Sequence, residues 1–97
     1  MSGQNELPVF IVNCIKELGF DYDYLFRGPR NFRKEISCQR AINLTVNTIK
    51  GAANLDIFHF EVDIIYQRDK DYDIIWVFST KKIDDLKDFV KIMERNQ

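Results

Sequence analysis

Arg27, Arg30, Arg33 and Lys34 crowd around a Gly28-Pro29 turn, with Phe26 and Phe32 set between them and Arg40 close behind. Arginine presents a planar fork of donors that matches phosphate and carboxylate oxygens in pairs. Such a cluster suits anion binding, whether of a lipid headgroup, a nucleic-acid backbone or a phosphoprotein. Lys81 and Lys82 would join it if the fold brings them near. Residues 27–40 hold those bases against one acid, Glu35, whereas the second half of the chain is net acidic. A charged loop kept soluble by its arginines is the competing reading. Only the binding reading predicts a steep loss of affinity with added salt.

Other chemical groupings are thinner. His59, the sole histidine, shares a strand face with Glu61 and Asp63. Their two-residue spacing lines the side chains up in a row rather than around one ion, so a polar outer sheet face is expected. Asp69, Asp71 and Asp73 alternate like the start of a calcium loop. The glycine and closing glutamate of such a loop are missing, which leaves a solvated hairpin tip. Ser2, Ser37 and Ser79 lie in no nucleophile motif, and no glycine-rich phosphate loop occurs. No set of residues supplies a nucleophile or base together with its orienting partner, so no enzyme, cofactor or metal is expected.

The chain of 97 residues, 45% hydrophobic, has the size of one compact domain. Its 14 basic and 15 acidic residues disfavour a globally basic nucleic-acid binder. Cys14 and Cys38 have no metal-binding spacing and imply reduced thiols in the cytoplasm or nucleus. Neither a signal peptide nor an apolar run long enough to span a bilayer is present, so a soluble protein is expected.

These groups need elements to position them. Residues 1–5 are small and polar and read as a tail, leaving 6–97 as the domain. Leu7, Phe10, Ile11, Cys14, Ile15 and Leu18 repeat at helical spacing, with Pro8 suited to the first turn and Gly19 to the end. Phe20, Tyr22, Tyr24 and Phe26 then alternate as a half-buried strand. Residues 32–48 read as one long or two short strands, with a short helix near 39–43 as the alternative. After a loop at 50–54, residues 58–66 give the clearest strand, followed by a charged loop at 68–73. Residues 74–78 are apolar throughout, as in a strand buried on both faces at its centre. Ser79 or Thr80 caps a last amphipathic helix carrying Ile83, Leu86, Phe89, Val90 and Met93 and ending near Arg95.

The expected fold is α+β: an antiparallel sheet of four to five strands with an N-terminal and a C-terminal helix on one face. On the second face Ile57, Ile65, Ile75 and Val77 look too apolar to be simply solvated, which marks them as candidates for a protein interface. The competing and favoured reading is a curved sheet with its centre covered by loops.

The run Ile15-Lys16-Glu17-Leu18-Gly19-Phe20-Asp21-Tyr22, the alternating strand at 57–66 and the strand-to-helix passage at 74–93 resemble the kinase-associated 1 domain. That family is found at the C-termini of AMPK-related, MARK-type and checkpoint kinases. The resemblance implies a non-catalytic regulatory module that binds acidic phospholipids, a kinase domain or a regulatory subunit. Gly28-Pro29 and Ser79-Thr80-Lys81-Lys82 are similar to steps of double-stranded-RNA-binding domains, which implies nucleic-acid or protein contacts. The expected partner is thus a protein or an anionic membrane surface, with nucleic acid or docking through an apolar sheet face as alternatives.

Overall fold

In the computed structural model, residues 7–23 and 28–95 are described. The expected tail at 1–5, the strand residues Tyr24 and Phe26, and Arg27 lie outside them. The chain runs α1 (Val9–Glu17), β1 (Asp21–Tyr22), β2 (Asn31–Glu35), β3 (Arg40–Lys50), β4 (Asp56–Arg68), β5 (Asp71–Thr80) and α2 (Ile83–Arg95). The five strands pair in sequence order, each antiparallel to the next. This is the expected α+β architecture.

Both helices lie on one face of the sheet. Alternation along each strand sends Phe32, then Ile42, Leu44 and Val46, then Phe60, Val62 and Ile64 to that face. There they meet Ile11 and Ile15 of α1 and Leu86 and Val90 of α2 in a single buried cluster. Phe78 adds an edge-to-face contact with Phe89 at 5.2 Å between ring centroids. The apolar stripes of both helices thus pack largely as their spacing predicts, except that Phe10 stays 63% exposed and meets Phe58 edge-on.

Gly19 ends α1 as its position suggested. The Phe20 N–H reaches the Ile15 carbonyl at 3.4 Å and the Gly19 N–H reaches Lys16 at 2.9 Å, closing the last turn. The motif requires positive φ, and Gly19 has +97°. A Cβ there would also run into Nζ of Lys34, which pairs with Glu94 of α2 at 3.2 Å. Gly19→Ala is expected to lower stability by about 1–2 kcal/mol. A urea titration followed by circular dichroism checks this; an unchanged midpoint would refute it.

Of the readings open for residues 32–48, the structure takes the two-strand one, with a bend at 37–39 and no helix there. Two other expectations are corrected. The charged segment 68–73 is mostly strand: β4 and β5 are joined by a tight turn at Asp69–Lys70, where Asp69 takes φ +48°. Ladder hydrogen bonds to a partner strand outweigh the low strand preference of charged side chains. Residues 74–78 are not buried on both faces. β5 is the edge of the sheet, and Ile74, Ile75 and Trp76 are exposed.

The start of α2 is stapled from outside the helix. Thr80 Oγ1 accepts from the Lys82 N–H at 3.1 Å and donates to the Asp85 carboxylate at 2.5 Å. Among the described residues, no helix is long and apolar enough to cross a membrane.

Candidate functional site

The basic cluster is compact in sequence but not in space. β2 alternates, so neighbours Arg33 and Lys34 leave opposite faces of the sheet. Arg33 points to the face without helices, where its side chain is 6% exposed and its Nε donates to Glu35 Oε1 at 2.8 Å. Lys34 points toward the helices and its ion pair with Glu94. Arg30 donates to the Thr48 hydroxyl at 2.7 Å and to the Val46 carbonyl at 3.3 Å, fastening its turn to β3. Arg40 opens β3 opposite Tyr66. Lys81 and Lys82 are exposed at the junction of β5 and α2, where Lys81 borders a cleft with Ile57 and Ile83. The basic side chains that can be placed are thus largely engaged in holding the fold, or separated.

The four apolar candidates divide as well. Ile57 and Ile65 sit on the open face, in step with His59, Glu61 and Asp63. Ile65 is nonetheless only 1% exposed. Ile75 lies opposite Ile64 and so faces the helix side, and Val77 packs against the core. The pairing of β4 with β5 shifts register between Val62 and Asp63, leaving Val77 as an extra residue in a bulge.

What the fold assembles instead is a stripe along β5. Tyr72, Ile74 and Trp76 lie opposite Gln67, Ile65 and Asp63 and project onto the open face. Their exposures are 47%, 47% and 63%, and that of Ile75 on the other face is 51%. Half the backbone N–H and C=O groups of an edge strand point away from its only neighbour, giving a template for another strand. After Val77 the character changes, because Val77 and Phe78 turn into the core. The accessible apolar segment is therefore the regular stretch 71–76.

Acidic groups border the stripe. Glu61 and Asp63 share the open face with Trp76, and Asp71 starts the strand. Burial raises the Asp63 pKa above its ordinary 3.8, and the negative charge of Glu61 adds to this. A hydrogen bond from Asn43 pulls the other way without cancelling it. A carboxyl with a raised folded pKa penalises the fold in its ionised form. The penalty is full above the folded pKa and fades as pH falls through it toward the unfolded value. Asp63→Asn is accordingly expected to raise the unfolding temperature at pH 7, with the gain shrinking as pH drops toward 4. Thermal scans across that range check it; a pH-independent difference would contradict it.

Among the described residues, no three His, Cys, Asp or Glu side chains gather as a metal site would require. No family model, curated protein or solved structure matches this chain. Its chemistry has to be read from its own residues.

Proposed function

We propose that this domain is a non-catalytic interaction module that receives an extended segment of a partner protein along β5. One observation carries the reading: a ten-residue edge strand whose first six residues expose Tyr72, Ile74, Ile75 and Trp76. Folded proteins usually protect such an edge with proline, inward charges or a covering element. Here the apolar stripe continues the edge, so an added strand gains main-chain hydrogen bonds and apolar burial together. Glu61, Asp63 and Asp71 favour a partner segment that alternates apolar with basic residues. A regulatory, non-enzymatic role is also what the resemblance to kinase-associated 1 domains implies. The free thiols of Cys14 and Cys38 suit a reducing compartment, the cytoplasm or the nucleus.

The test is a titration of the isotopically labelled chain with an acetylated hexapeptide alternating lysine and valine, followed by amide NMR. Shifts concentrated in the amides of 71–76 are expected at about millimolar peptide. Unmoved β5 amides would sink the strand-addition reading.

A further inference from the structure

A second site lies on the helix side of the same sheet and stands independently of strand addition at β5. Register places Arg40, Tyr66 and Asp73 side by side across β3, β4 and β5. Together with Arg68, Ile75 and the bend residues Ser37 and Gln39 they enclose an open basin of about 520 Å³. That volume falls within the range of small-molecule pockets. No helix residue lines it, so the basin is the part of this face that α1 and α2 leave uncovered.

Its charge is unevenly satisfied. Arg68 is ion-paired with Asp73. Arg40 is half-buried, and among the described residues its guanidinium has no acid or hydrogen-bond partner. One cationic fork therefore remains open inside a concavity that also offers the Tyr66 and Ser37 hydroxyls. Partial burial strengthens its pull on an anion relative to a freely solvated arginine. The Tyr66 ring and Ile75 add apolar wall, and Gln39 and Gln67 complete the lining with neutral amide residues.

We infer that the basin binds a small phosphomonoester: the phosphate on Arg40, with Arg68 held alongside by Asp73, and the organic part against Tyr66 and Ile75. Phosphate fits better than a lone halide because the guanidinium can donate to two of its oxygens at once. The mixed lining separates this site from a merely basic surface, which would hold inorganic phosphate just as well.

Calorimetry with phenyl phosphate, inorganic phosphate and phosphatidylcholine vesicles containing phosphatidic acid tests the assignment and distinguishes the sources of phosphate. Phenyl phosphate is expected to bind at least about tenfold more tightly than inorganic phosphate. Arg40→Ala should weaken it by at least about tenfold and Arg40→Lys by less, with circular dichroism spectra unchanged. Tyr66→Phe, which keeps the ring, should retain the preference for the aromatic ester. Absence of phenyl phosphate binding would overturn the assignment. So would equal affinity for both phosphates, binding indifferent to Arg40→Ala, or binding to vesicles alone.

Discussion

Phe32→Ala is expected to remove about 3–5 kcal/mol of stability, the largest loss of any substitution considered. Phe32 has no exposed surface and stacks on Tyr22 at 4.9 Å between ring centroids. It sits on β2, where the pairing of the short β1 meets the main sheet. Truncation would leave a cavity that neighbouring strands cannot fill, because their backbone is fixed by ladder hydrogen bonds. Small domains have about 5–15 kcal/mol in total, so the variant would retain a fraction of the native stability or none. Urea denaturation reads this directly. Phe32→Leu, which keeps most of the volume, should cost clearly less, and equal losses in the two variants would refute the cavity account.

Trp76→Ala is expected to do the opposite: little to stability, much to binding. The indole is mostly exposed, so its removal takes little apolar area out of the folded core. If an added strand covers the open-face stripe, Trp76 becomes the largest apolar group buried at the contact. Truncating such an anchor commonly costs about 2 kcal/mol or more, or roughly thirtyfold in affinity. The measurement is the alternating lysine–valine peptide titrated against both proteins, with thermal unfolding of each alongside. Unchanged affinity with unchanged stability would remove Trp76 from the interface. As the sole tryptophan it also reports on itself, and its emission should shift to the blue when it is covered.

Sequence patterning made most of the architecture legible. The three- and four-residue spacing from Leu7 to Leu18 and from Ile83 to Met93 marks helices that bury most of those stripes, Phe10 staying 63% exposed. Alternation from Phe58 to Tyr66 identifies β4, which the structure extends at both ends to Asp56–Arg68. Where the chain sits within the sheet was not legible. An apolar run such as Ile74–Phe78 satisfies a central strand and an edge strand equally, and periodicity says nothing about how many neighbours a strand has. The basic cluster misleads for a related reason. Read linearly, Arg33 and Lys34 are adjacent; read with a period of two through Asn31–Glu35, they diverge. Arg68 drew no attention because it stood at the border of a supposed loop. Only the register that aligns Arg40, Tyr66 and Asp73 reveals it as a neighbour of Arg40.

The two edges of the sheet are unequal, and this limits what the domain can build. β5 spans ten residues, whereas β1 at the opposite edge spans two. Head-to-tail growth would need the β5 of one copy to join the β1 of the next, over a ladder too short to hold. The bulge at Val77 would further confine an added strand to the stretch 71–76. If β5 receives a strand as proposed, a sheet whose described residues offer one long margin and one stub has a valency of one. On the strand-addition reading it accepts a single guest strand, and among the described residues the chain reaction that turns exposed edges into fibres finds no second margin on which to continue.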